Sequence, residues 1–141
     1  MQSIKICKTD EEIDACFPVI QQLRPHLVRA TFVSQVRRLN ETQGFKLVSL
    51  SDEGGVRAVM GMRIAESLAW AKFVYVDDLV TDQTQRSSGW GKALLDWATE
   101  LGKAEQCGEL HLDSGVMRYD AHRFYLRERM DITCHHFKKS I

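Results

Sequence analysis

The densest concentration of chemistry in this 141-residue chain is Arg86-Ser87-Ser88-Gly89-Trp90-Gly91, followed by Lys92. Two glycines let a backbone approach a ligand closely. Where such a turn opens a helix, the unpaired N–H groups and the dipole favour an anion such as a pyrophosphate. Arg86 adds a permanent positive charge suited to phosphate oxygens. A tight strand-to-helix turn with a surface arginine is the plainer reading of the same residues. Two nucleotide-binding patterns fail here. The dinucleotide fingerprint needs a third glycine where Leu94 stands, and the phosphate loop needs Ser or Thr where Ala93 follows Gly91-Lys92.

Other residues have acid–base or ligand chemistry. Asp77-Asp78 is a carboxylate pair on a strand-like run, and alternation lets only one of them face a given cleft. A solvated pair at a sheet edge is the alternative. Tyr125 carries a phenol that is protonated at neutral pH and able to donate; aromatic core is its plainer role. His122 stands one helical turn before it. His111 lies mid-strand and reads as a core or face residue. Cys134-His135-His136 invites a metal, but adjacent strand residues diverge and no second cluster supplies the remaining ligands, so no metal site is expected. The cysteines Cys7, Cys16, Cys107 and Cys134 form no CxxC pair and read as reduced thiols of a cytoplasmic protein.

Positioning these groups requires a definite order of elements. A short strand is expected over residues 3–7, then a helix opened by a capping box at Thr9-Asp10-Glu11-Glu12. Ile13, Phe17, Ile20 and Leu27 give it helical spacing, and Pro18 kinks or splits it. A second helix is expected over 32–40, strands over 45–50 and 56–64 with a turn at Asp52-Glu53-Gly54-Gly55, and a strand over 73–80. The loop 81–88 then leads into a helix faced by Leu94, Leu95, Ala98 and Leu101. A strand over 109–113, a helix over 119–129 and a final strand over 132–137 complete the chain. The order predicts an α/β (α+β) fold: a mixed, mostly antiparallel central sheet with one parallel β-α-β crossover and helices on both faces.

Composition sets the outer bounds. The length suits a single domain spanning 1–141. Nineteen Lys+Arg balance nineteen Asp+Glu, so no global field attracts nucleic acid or an anionic membrane. No apolar run approaches the length of a membrane span or a signal-peptide core.

Taken together, these residues resemble the GNAT superfamily of acyl-CoA-dependent N-acyltransferases. Arg86-Ser87-Ser88-Gly89-Trp90-Gly91 matches its (Gln/Arg)-x-x-Gly-x-(Gly/Ala) signature, Val76-Asp77-Asp78-Leu79-Val80-Thr81 its preceding strand, and Ala121-His122-Arg123-Phe124-Tyr125 its later tyrosine segment. The element order agrees over nearly the whole chain. The resemblance implies that Arg86, Ser87, Ser88, Gly89, Trp90, Gly91 and Lys92 hold the CoA pyrophosphate. It implies that the backbone of Leu79, Val80 and Thr81 pairs with the pantetheine arm, with an oxyanion-stabilising N–H near Leu79. Tyr125 then matches the acid that protonates the departing thiolate, and Asp77 the base or water-positioning residue, with Asp78 and His122 as alternatives.

The chain departs from the family at two places. Arg118 stands where many relatives carry Asn, seven residues before the tyrosine, and Arg129-Met130 stands where they often carry Gly-Phe. The expected activity is transfer of an acetyl group from acetyl-CoA to a primary amine of a small molecule or peptide, by direct attack without an acyl-cysteine. A non-catalytic acyl-CoA-binding sensor or regulatory domain is the alternative. The resemblance further implies a possible homodimer, while the acceptor is set by parts of the chain the motifs do not cover.

Overall fold

Pro18 splits the first helical segment, so three helices follow the first strand. The structure, a computed structural model, describes residues 1–85 and 88–141 and places α1 at Asp10–Ala15, α2 at Phe17–Leu23 and α3 at Arg29–Gln43. The capping box forms as the spacing predicts. Thr9 Oγ1 accepts from the Glu12 N–H at 3.1 Å, and Glu12 Oε1 accepts from the Thr9 N–H at 3.0 Å. Pro18 falls in the first turn of α2, where its missing N–H is no loss. The third helix runs longer than its apolar spacing over 32–40 predicts. It stops only at Gly44, which takes the left-handed conformation (φ 68°) that other residues adopt at a cost.

Five strands follow the expected order: β1 (Ser3–Ile6), β2 (Lys46–Asp52), β3 (Gly55–Ser67), β4 (Ala71–Thr81) and β5 (Glu109–Leu112), with α4 (Trp90–Ala104) before the last. They lie side by side in sequence order as a mixed sheet, antiparallel from β1 to β4 and parallel between β4 and β5. The β2–β3 turn is tight, with Asp52 opposite Gly55, and Asp52 Oδ1 takes the Gly54 N–H at 2.7 Å and Arg57 Nε at 2.9 Å.

Alternation divides the sheet residues between two layers. Phe45, Leu47, Val59 and Val80 share a buried cluster with Ile13, Phe17, Ile20, Phe32 and Val36 of α1–α3. On the other face Val74 lies against Gly102 of α4, where an added Cβ would come within 2.8 Å of Val74 Cγ2. Leu94 and Ala98 of α4 are fully buried. Among the described residues no helix is long and apolar enough to cross a membrane.

The chain divides into two compact units, Met1–His111 and Leu112–Ile141. The second contains α5 (Tyr119–Arg127). This helix ends in a Schellman arrangement: the Met130 N–H donates to the Tyr125 carbonyl and the Arg129 N–H to that of Leu126, each at 3.1 Å. Arg129 therefore sits in the left-handed region (φ 66°), at the position where the family resemblance has glycine. The expected final strand over 132–137 does not form, and these residues carry no regular secondary structure. Their β-forming side chains prompted the expectation, yet a strand is made by a ladder of backbone bonds. Ile132 is 75% exposed and Phe137 91%, with no apolar surface to hold them.

Two stability effects follow. Leu94→Ala empties a fully buried site against the sheet and should cost about 2–5 kcal/mol in denaturant unfolding. Arg129→Gly relieves a left-handed non-glycine residue and should stabilise by about 1 kcal/mol, read as a raised Tm.

Candidate active site

The β3–β4 ladder is interrupted once. Gly61 pairs with Asp78 but Met62 pairs with Val76, so Asp77 is an extra residue on β4 with no opposite number on β3. A bulge of this kind bends the strand and breaks its alternation. Asp78 packs over Gly61, while Asp77 is held by Arg63, two residues on along the same face of β3. Strict alternation predicts opposite faces for the two carboxylates, and the bulge brings them to one. Gly61 is required here because a Cβ would run into Asp78 Oδ2 and the Phe45 ring.

Two arginines complete the cluster. Arg63 donates from Nε to Asp77 Oδ2 at 2.9 Å and from Nη2 to Oδ1 at 3.0 Å, occupying both oxygens, and its guanidinium lies 5.1 Å from the centre of the Tyr75 ring. Arg24, just past the end of α2, donates from Nε to Asp78 Oδ1 at 2.9 Å and from Nη2 to the Asp77 carbonyl at 2.9 Å. Asp78 Oδ2 has no hydrogen-bond partner among the described residues. Burial pushes the Asp78 carboxyl above the ordinary aspartate range; Arg24 opposes this and Asp77 adds to it. Asp78 is thus a carboxyl raised by burial, with one oxygen uncommitted among the described residues.

Downstream of the bulge, Leu79, Val80 and Thr81 pair with Met60, Val59 and Ala58 of β3. The parallel neighbour β5 has four residues and joins at the opposite end, where the Gly108 N–H donates to the Lys72 carbonyl at 3.0 Å. Starting there, it reaches no farther along β4 than about Val76 at ~3.3 Å per residue. The outer edge of Leu79–Thr81 is therefore beyond the reach of β5.

The connection to α4 is anchored at its start. Asp82 donates its N–H to the Arg57 carbonyl at 2.8 Å and accepts from the Thr84 N–H at 3.2 Å. Gln22 of α2 ties in through Nε2 to Asp82 Oδ1 at 3.4 Å and by accepting the Gln83 N–H at 2.9 Å. A single 3-10 turn, Gln83–Gln85, follows. Arg86 and Ser87 lie outside the described residues. Ser88 and Gly89 are exposed, and Gly89 caps α4 in the left-handed conformation (φ 80°) with open space where a side chain would stand. The first turn of α4 carries no acidic residue. Trp90 is buried, and Lys92 Nζ reaches Asp96 Oδ2 at 3.0 Å. This start of α4 offers backbone donors that no aspartate or glutamate of its own first turn opposes.

In the second unit, Tyr125 on α5 is half-buried, and burial raises its phenol above the ordinary range while Arg118 lowers it. His122 Nε2 lies 2.8 Å from the Gly115 carbonyl, which assigns its proton to that nitrogen in the neutral form. Arg118 is the cap residue of α5. His136 Nδ1 is 3.0 Å from Asp113 Oδ2 on the surface. In the first unit His111 stacks on Trp70 at 3.8 Å, a packed-face role.

The structure therefore brings Asp77, Asp78, Leu79, Val80 and Thr81 into one run, with Gly89, Trp90, Gly91 and Lys92 opening α4 beyond it. Sequence reasoning missed Arg24, Arg63 and Gln22. Pairings separated by 54, 14 and 60 residues leave no local signal. The bulge did leave one: a glycine inside a strand run, Gly61, marks a close approach or an irregularity.

Comparison with known proteins agrees with this architecture. Residues 8–130 match the family described as acetyltransferase (GNAT) family. An uncharacterized N-acetyltransferase, YhdJ of Bacillus subtilis (strain 168), is 31% identical over 125 residues, covering 89% of this chain and 88% of the relative. Among solved structures, a transcriptional regulator from Bacillus halodurans C-125 superposes with a TM-score of 0.88 at 16% identity over the whole of both chains. The aminoglycoside N-acetyltransferase AAC(6')-Iy in complex with CoA gives 0.85 at 11% identity, covering 100% of this chain and 95% of that one. At these identities the structural likeness establishes the fold.

Arg24→Gln removes the cation bonded to Asp78 among the described residues and should move the Asp78 carboxyl pKa further upward. Carbon-detected NMR titration of the side-chain carboxyl reads this directly, and a downward shift would contradict the assigned role of Arg24.

Proposed function

Because this chain belongs to the GNAT acetyltransferase family, we propose that it transfers the acetyl group of acetyl-CoA to a primary amine of a small molecule or peptide, by direct attack in a ternary complex. The observation that carries the reading is that Leu79–Thr81, which lies beyond the reach of β5, is followed by the glycine-opened start of α4. A strand-like pantetheine arm fits the first, and a pyrophosphate fits the second. Residues 1–141 are read as one working acetyltransferase domain, supported by a family match that spans both units.

In this reading the N–H groups of Gly89, Trp90, Gly91 and Lys92, together with Arg86, Ser87 and Ser88, hold the pyrophosphate. The backbone of Leu79, Val80 and Thr81 hydrogen-bonds the pantetheine amides, and a backbone N–H near Leu79 stabilises the oxyanion. An amine with pKa about 10.4 must lose a proton before its nitrogen attacks the thioester carbonyl. Asp77 is the base expected from sequence, but both of its oxygens are occupied by Arg63. Asp78, raised by burial and with Oδ2 uncommitted, is the better acceptor. As the C–S bond breaks, Tyr125 gives its phenolic proton to the thiolate; its raised pKa keeps that proton in place through neutral pH. A cytoplasmic homodimer completes the proposal, on the strength of the family resemblance.

Calorimetry with acetyl-CoA tests the donor site. Micromolar binding is expected, and it should be lost in Gly89→Asp, which places a carboxylate and a strained left-handed residue at the start of α4. A folded parent that binds no acetyl-CoA removes the proposal. Tyr125→Phe should then lower kcat by about 10²-fold or more and abolish the basic limb of the pH profile. Unchanged turnover across pH removes Tyr125 as the acid.

A further inference from the structure

Cys7 and Cys16 approach each other in the core with their sulfurs 3.6 Å apart, within S–H···S hydrogen-bonding distance and not joined by a disulfide. Cys7 follows β1, with its N–H on the Leu47 carbonyl at 2.8 Å, and Cys16 stands between α1 and α2 as the cap residue of both. Their side chains converge from elements nine residues apart, and the sulfurs need close by only about 1.5 Å to reach the ~2.05 Å of a disulfide. The transferase chemistry above uses neither thiol.

We propose that Cys7 and Cys16 form a redox modification site that small hydroperoxides oxidise to a reversible disulfide. The surroundings divide the labour. Cys7 retains 9% exposure and Cys16 none, so a small oxidant meets Cys7 first. The hydrogen bond shared with the Cys16 thiol lowers Cys7 to about 7 against its burial, with Ser49 assisting, whereas Cys16, whose thiol also lies 3.5 Å from the Glu12 carbonyl, is pushed up. Cys7 is therefore the attacking thiolate and Cys16 holds the proton.

The Cys7 sulfur attacks one peroxide oxygen, the O–O bond breaks, and an alcohol or water departs, leaving Cys7 as a sulfenic acid. The Cys16 sulfur then attacks the Cys7 sulfur. The S–O bond breaks and hydroxide leaves as water with the Cys16 proton. Two thiols lose two electrons and two hydrogens in all, and one hydroperoxide becomes one alcohol and one water. The bond would pull on the start of α2, whose other end carries Gln22 and Arg24 against β4.

The test uses the full chain with Cys107→Ser and Cys134→Ser, which leaves only this pair of thiols. After stoichiometric hydrogen peroxide, the intact mass should fall by two hydrogens and return on treatment with dithiothreitol. A peptide map should join the segments holding Cys7 and Cys16. An unchanged mass, or added oxygen without loss of hydrogen, overturns the proposal. In a variant that also carries Cys16→Ser, dimedone should label Cys7. Absence of that label, with the variant folded by circular dichroism, overturns the order of attack.

Discussion

Asp77 enters β4 without a residue opposite it on β3, and an inserted strand residue has consequences that neighbouring groups must absorb. Its backbone carbonyl leaves the ladder and needs a donor, which Arg24 supplies. Its insertion turns the next side chain, Asp78, over the same face. Room for that carboxylate beside the Phe45 ring exists only because residue 61 is glycine. Two carboxylates brought together this way would repel, and two guanidiniums answer them one to one. Removing either partner from such a semi-buried pair leaves a charge with no answer, which is far costlier than the net worth of the pair. The bulge, the glycine and the two arginines therefore stand or fall as a set.

Rigidity and access come from different parts of the chain. The face toward α1–α3 is filled by aromatic and branched residues from six elements, and α4 closes the other with Leu94 and Ala98. Between these layers, β4 carries two carboxylates at its bulge and, beyond it, the Leu79–Thr81 stretch that β5 does not reach. Gln22 and Arg24 both lie at the C-terminal end of α2, so one short helix fixes the bulge and the turn that leaves β4. Gly89 then opens α4 in the left-handed conformation, with open space where its own side chain would stand.

Much of this architecture was legible in the residues. The capping box at Thr9 and Glu12, the split at Pro18 and the tight turn after Asp52 are local events, settled by chemistry within four residues, and each appears as expected. What escaped was non-local. Arg24, Arg63 and Gln22 find their partners only once the sheet exists, and the expectation that Asp77 and Asp78 face opposite sides failed because one extra residue suspends the period of two. The strand expected over 132–137 failed for a related reason: β propensity describes a side chain, whereas a strand requires a neighbour. The glycine signature was readable as a loop before a helix, although its first two residues lie outside the described part of the chain.

Both outer strands of the sheet, β1 and β5, are only four residues long, and β1 carries Lys5, paired with Glu12. Short, charged borders are a common defence against one chain templating on another. The brevity of β5 has the opposite effect farther along, because it stops short of Leu79–Thr81 on β4. The stretch proposed to receive a strand-like guest is thus also one that β5 does not shield from an unwanted one. An occupant lying along Leu79–Thr81 would act as a plug, giving the filled protein a solubility advantage over the empty one.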